Sequence, residues 1–271
     1  MKRALVTLAF LAASQVGAAL AADCAASIPT IEPGKLTVAA YDYPPFTMVA
    51  DGKITGVDPG IVERFAKENC LEAVPLVMDP AGTVQAVVSG KADIAIGSWY
   101  RTAKRAKIVD QSAPTYVDSM GIYSKDGVDS IKAMEGKNVG TVQGFFWVPD
   151  LQKVFGANLK LYPTPLAMAQ DLGVGRLDVA ITGYNAGTYI QKHSGGYKGI
   201  QIKRVQPDDR VSATLQPAQT GFLITKGNSA LEAALSRSID AQHADGSILK
   251  ALKDAGFDDA TADVGEPRLV Q

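Results

Sequence analysis

Apolar positions along the chain follow two periods. Short apolar runs at 35–40, 74–78 and 92–97 predict strands, and the stretches 60–69 and 82–89 place apolar residues at the spacing of amphipathic helices. The same order returns after residue 137, with a strand at 137–142, helices at 149–155 and 165–173, and a strand at 177–182. Strands alternating with helices imply parallel sheets, so two rounds imply two α/β lobes. Leu231, Leu235, Ile239, Ile248 and Leu252 keep helical spacing across 228–252, interrupted by Gly246, which predicts two helices. Their expected partner is the first lobe, reached if the chain crosses at about 117–120 and returns at about 215–220.

An internal echo supports two lobes. The segment from Gln85 to Ile96 matches that from Gln170 to Ile181 in register, including Gly90 with Gly175 and Asp93 with Asp178. In both, a helix stopped by a glycine able to take the left-handed conformation leads at once into a buried strand. The echo occurs only once, which excludes a solenoid.

Residues 1–21 run from Lys2 and Arg3 through an apolar stretch to Ala19-Leu20-Ala21, the pattern of a cleavable secretory signal. Ser14, Gln15 and Gly17 interrupt that stretch and argue against a membrane anchor. A periplasmic location follows as an expectation. Export would also permit a disulfide between Cys24 and Cys70, tying the N-terminus to the end of the 60–69 helix.

Composition narrows the chemistry. The 271 residues are 46% hydrophobic and 20% charged, which excludes disordered and collagen-like classes, and a formal charge of −1 gives no field for nucleic acid or anionic membranes. Two histidines and two cysteines leave little for a metal site, and no phosphate-binding or dinucleotide glycine motif occurs, so neither metal nor cofactor is implied. His193 reads as a surface loop residue and His243 as a surface position in the last helical region, without a nucleophile beside either. The chain is therefore read as a binder rather than an enzyme.

Several short motifs then fall in order: Tyr43-Pro44-Pro45-Phe46 after the first strand, Asp51-Gly52 through Gly56-Val57-Asp58, Ser89-Gly90-Lys91-Ala92-Asp93, Thr102-Ala103-Lys104-Arg105-Ala106, and the Gly-Arg-x-Asp ending at Asp178. Together, from about Gly34 to Leu252, they resemble the family-3 periplasmic solute-binding proteins. The resemblance implies a bilobal type II fold, with two parallel-dominated sheets flanked by helices and joined by a two-strand hinge. Residues 34–117 plus 219–262 would form lobe one and 118–218 lobe two. It further implies a monomer that closes on a small carboxylate-bearing amino acid or derivative and delivers it to an ABC transporter permease. A sensor domain for a membrane receptor and a cyclohexadienyl-dehydratase-like enzyme are the alternative uses of this scaffold.

Carried onto this chain, the resemblance makes Arg105 the carboxylate ligand, since a guanidinium fork pairs two donors with a carboxylate, and Thr102 the start of the turn that aims it. Ser98, Trp99 and Tyr100 follow a buried strand at the end where open α/β sheets bind ligands. Tyr43 and Phe46 stand where the family stacks an aromatic ring, although Phe46 also suits a core. The chain departs from the family at three places: Gln143-Gly144-Phe145-Phe146-Trp147 replaces a hydroxyl-bearing segment, Pro59-Gly60 lacks a second acid, and Gly183 stands where the family's ammonium-binding aspartate would fall. The chain instead offers rings, among them Tyr41, Tyr43, Trp99, Tyr100, Phe145, Phe146, Trp147 and Tyr184, whose faces attract cations. Asp42 is the expected substitute counter-ion.

Overall fold

The computed structural model describes residues 28–271, so the expected signal segment and Cys24 lie outside the described residues. In chain order the first part contains β1 (Lys35–Ala40), β2 (Met48–Ala50), β3 (Lys53–Thr55), α1 (Val57–Glu68), β4 (Glu72–Val77), α2 (Pro80–Val88), β5 (Ile94–Tyr100), α3 (Ala103–Ala106), β6 (Asp110–Gln111) and β7 (Val117–Asp118). The middle contains β8 (Met120–Ser124), β9 (Val139–Val142), α4 (Val148–Phe155), β10 (Leu159–Tyr162), α5 (Pro165–Gly173), β11 (Val179–Gly183), α6 (Tyr184–His193) and β12 (Gln201–Arg204). The chain then returns through β13 (Ala218–Ile224) to α7 (Ser229–Ala244), α8 (Ser247–Asp254) and α9 (Asp259–Ala262).

Two open sheets result, ordered β4-β1-β5-β13-β6 and β10-β9-β11-β8-β12. The trios β4-β1-β5 and β10-β9-β11 are parallel, and one strand in each sheet runs against its neighbours: β13 in the first and β8 in the second. Both opposed strands enter from the other lobe, so their direction is set by the crossing of the chain. At that crossing β7 pairs antiparallel with the start of β13, Asp118 opposite Ala218, making the expected two-strand hinge. Val38, Ile94, Ile96, Leu223 and Phe65 are buried in the first lobe, and Val139, Ile122, Ile181, Leu151 and Met168 in the second.

The echo has one physical cause. Gly90 and Gly175 both take positive φ, 67° and 78°, and end α2 and α5. Each following aspartate then holds the backbone of a neighbouring strand segment: Asp93 accepts from Thr37 N within β1 at 2.8 Å, and Asp178 from Asn138 N just before β9 at 2.8 Å.

Several boundaries differ from the sequence reading. The helix expected at 60–69 starts at Val57, because Gly56 at φ 122° turns the chain and Asp58 points inward. The strand expected at 92–97 continues to Tyr100, which puts Ser98, Trp99 and Tyr100 on the strand itself. The hairpin β2–β3 turns on Asp51 and Gly52, both at positive φ, as a two-residue Asp-Gly turn does. His193 is not in a loop; it ends α6 and stacks on Tyr189 at 4.4 Å. His243 is half-buried and its Nε2 lies 3.1 Å from Pro114 O. Among the described residues no helix is long and apolar enough to cross a membrane, no acidic, His or Cys cluster could hold a metal, and no cysteine is free.

Candidate functional site

Arg105 sits on a four-residue helix that is fixed from three sides. Thr102 caps it, its Oγ1 accepting from Arg105 N at 3.0 Å. Gln111 brackets Thr102, its side chain accepting from Thr102 N at 2.9 Å and donating to Thr102 O at 3.0 Å. Val270, far along the chain, accepts from Ala103 N at 2.8 Å and donates to Arg101 O at 3.0 Å. Thr102 is fully buried and therefore aims Arg105 without lining the cleft.

The guanidinium turns inward, where Nη1 donates to Tyr100 O at 2.8 Å and Nη2 to Gly144 O at 3.1 Å, and its carbon lies 4.9 Å from the centre of the Trp99 ring. Among the described residues no carboxylate pairs with it. Burial lowers its pKa to about 10, with Tyr41 acting weakly the other way, so it remains charged at neutral pH. A buried cation answered only by carbonyls and a ring face retains much of its desolvation cost, several kcal/mol in general, and an incoming carboxylate would offset it.

Beside it β5 carries a bulge. Residues 96–98 stand opposite the single residue Phe222 of β13, with Gly97 at φ 129° and Ser98 at φ 56°. Asp58 holds this backbone: Oδ2 accepts from Gly97 N at 2.8 Å and Ser98 N at 3.1 Å, while Oδ1 accepts from Tyr116 OH at 2.7 Å. Burial raises Asp58 to about 6 against these bonds. Gly97 cannot carry a side chain, because a Cβ there would overlap the Tyr41 ring, whose hydroxyl donates to Gly97 O at 2.8 Å. Among the described residues Ser98 Oγ and Tyr100 OH are buried without a partner, as is Asp118 Oδ2.

Lobe two closes the site with the turn after β9. Gly144 has φ 83°, and Phe145 and Trp147 meet edge to face at 5.2 Å, with Tyr100 against Trp147 at 5.5 Å. Trp147 Nε1 donates to Thr141 Oγ1 at 2.8 Å, fixing the ring. A second contact between lobes joins Gly183 N to Tyr43 OH at 3.0 Å. The space lined by Arg105, Ser98, Tyr41, Tyr43 and the 145–147 rings is about 20 Å³. A cavity of about 820 Å³ adjoins it; Tyr41 and Tyr43 line both, and Met78, Leu166, Ile190 and Tyr197 line the wider one.

Nine of the expected residues are thus accounted for at one place: Arg105, Ser98, Tyr43, Trp99, Tyr100, Phe145, Phe146 and Trp147 line the small space, and Gly144 supplies its carbonyl to Arg105. Others stand elsewhere. Asp42 is exposed at the edge of the wide cavity, its Oδ1 accepting from Val49 N at 3.0 Å, so it does not face Arg105. Tyr184 turns its ring under Arg204 at 4.3 Å, outside both cavities. Phe46 stacks between Tyr116 at 4.6 Å and Phe257 at 5.7 Å, a core position. The sequence reading missed Asp118 in the hinge, where a short strand read only as a crossing gave no sign of an inward carboxylate, and it assigned no role to Tyr41 beyond its ring.

The family model for bacterial extracellular solute-binding proteins, family 3, matches residues 36–255. The L-cystine-binding protein TcyJ of Escherichia coli (strain K12) is 25% identical over 221 residues, 79% of each chain. A probable histidine-binding protein of Campylobacter jejuni is 33% identical over 109 residues, which span 39% of this chain and 42% of that protein. Among solved structures, an ancestral arginine-binding protein bound to arginine superposes with a TM-score of 0.72 at 25% identity, covering 83% of this chain and 99% of the other.

Proposed function

Because the chain belongs to family 3 of the bacterial extracellular solute-binding proteins, we propose that it is the substrate-binding component of an amino-acid ABC importer. It captures a small carboxylate-bearing amino acid or derivative between its lobes. Arg105 carries this reading: a buried, charged guanidinium with free pairing capacity at the meeting of two lobes is built to receive a carboxylate.

The lobes hinge where β7 and β13 pair, with 34–117 plus 219–262 as lobe one and 118–218 as lobe two. An amino acid is larger than the space of about 20 Å³ beside Arg105, so entry requires the turn at 144–147 to withdraw with lobe two. Ligand touching both faces then shifts the population toward closure. Ser98 Oγ and Tyr100 OH, both buried without partners, supply further polar contacts. A side chain passing Tyr41 and Tyr43 reaches the wide cavity, whose aromatic and aliphatic walls suit a long side chain. The mature protein works in the periplasm after removal of residues 1–21, with Cys24 bridged to Cys70, and hands its cargo to a membrane permease.

A thermal-shift panel on refolded mature protein tests the function. Ligand at 100 times its dissociation constant adds about 2.7 kcal/mol, several degrees in Tm. Arginine, histidine and cystine, bound by relatives, head the panel beside other amino acids and amine-free carboxylates. A shift with at least one amino acid is expected; none across the panel would overturn the reading.

A further inference from the structure

We propose that Asp118, in the hinge, is the cation-binding carboxylate of the cleft, and that it takes the ammonium group of a zwitterionic ligand whose carboxylate pairs with Arg105. This rests on the amino-acid capture proposed above.

The geometry places a carboxylate where none was expected. Asp118 lies on β7 opposite Ala218 and is 2% exposed. Its Oδ1 is satisfied, accepting from Ser119 N at 2.8 Å and Asn185 N at 3.2 Å. Its Oδ2 is buried and has no partner among the described residues. That oxygen stands 2.5 Å from where a Cβ on Gly183 would begin. Gly183 has an ordinary φ of −66°, so space rather than backbone conformation requires glycine there. A carboxylate from the hinge and a carboxylate on residue 183 therefore compete for one volume, and this chain fills it from the hinge.

The surroundings suit a cation, and the described residues supply none in contact with that oxygen. Tyr43 from lobe one reaches the same corner, its hydroxyl accepting from Gly183 N, and Tyr100 brings a hydroxyl without a partner. Tyr41, Tyr43, Tyr100, Tyr116 and Tyr123 all feel the charge of Asp118. Arg204 on β12 is the charged group nearest in influence, yet it donates to Ser119 Oγ at 3.1 Å and covers Tyr184 instead of pairing with Asp118. Burial raises Asp118 to about 7, relieved in part by its two backbone bonds and Arg204, the behaviour of a carboxylate lacking its counter-ion. Among the described residues Arg105 and Asp118 are thus two buried ionisable groups of opposite charge type without an ion-pair partner, and both act on Tyr41.

The test compares L-arginine, L-histidine and L-cystine with counterparts in which hydrogen replaces the α-amino group, titrated calorimetrically into wild type and Asp118→Asn. Wild type is expected to favour the amine-bearing member by about 30-fold or more, and D118N to lose about that factor for it while amine-free affinity changes less than about threefold. A preference that survives in D118N overturns the assignment and leaves amino-acid capture standing. Binding of no amine-bearing probe by wild type overturns both. Should D118N fail to fold, wild type answers through pH: affinity for L-arginine is expected to fall as pH drops from about 8 to about 5.5, while amine-free affinity holds. Parallel pH profiles for the two would overturn the inference.

Discussion

The guanidinium of Arg105 and the carbonyl of Gly144 meet across the cleft at 3.1 Å, one from each lobe. The residue proposed to hold the ligand therefore also latches the lobes. Gly144 is pinned by its surroundings: φ is 83°, and a Cβ would come within 3.1 Å of Ala81 Cα at the start of α2. Gly144→Val is expected to keep the lobes apart. Small-angle scattering of liganded protein should show an enlarged radius and calorimetry an affinity loss of about tenfold or more, whereas a variant closing and binding normally would remove this latch from the account.

Asp58 joins α1 to the bulge that presents Ser98. Asp58→Ala leaves three buried donors without an acceptor, so a loss of about 3 kcal/mol or more is expected in denaturant unfolding. Ligand affinity should fall with it, because residues 97–98 lose the bonds that hold their positive φ.

Stability should decline toward neutral pH. Asp58 is raised to about 6 and Asp118 to about 7 by burial, from 3.8 in an exposed chain. Each carboxyl is protonated more readily when folded, so its contribution is fully present below about pH 4 and is lost as pH rises through 6 to 7. Asp171, held well below its usual range by Lys160, Tyr162 and Arg176, works the opposite way but only in stronger acid. Between about pH 5 and 8 the ligand-free Tm is expected to fall, by an amount equivalent to a few kcal/mol. Asp118→Asn should flatten the slope above about pH 6; an unchanged slope would contradict the assigned burial effect.

Much of the architecture was legible in the chain because it rests on local rules. Glycine-stopped helices before buried strands gave the echo of Asp93 and Asp178, and helical spacing gave α7 and α8 on either side of Gly246. The cluster around Arg105 was legible through motif order. What escaped depends on tertiary approach. Asp118 lies in a two-residue strand with no period to read, and its importance comes only from Gly183, distant in sequence. Asp42 resembled a counter-ion by sequence proximity to Tyr43, but alternation along the extended chain sends it outward while Tyr41 and Tyr43 turn in. The C-terminal segment gave no signal, yet Gln219 binds Val264 O and Glu266 O at 2.7 Å, and Val270 braces Thr102's turn.

The central claim is that Arg105 receives the carboxylate of a captured amino acid. Isothermal titration of wild type and Arg105→Ala with the best-binding amino acid of the thermal-shift panel tests it most directly. An affinity loss of about 30-fold or more is expected, since a buried charge-assisted contact is removed. A loss smaller than about threefold, roughly 0.7 kcal/mol, would contradict it.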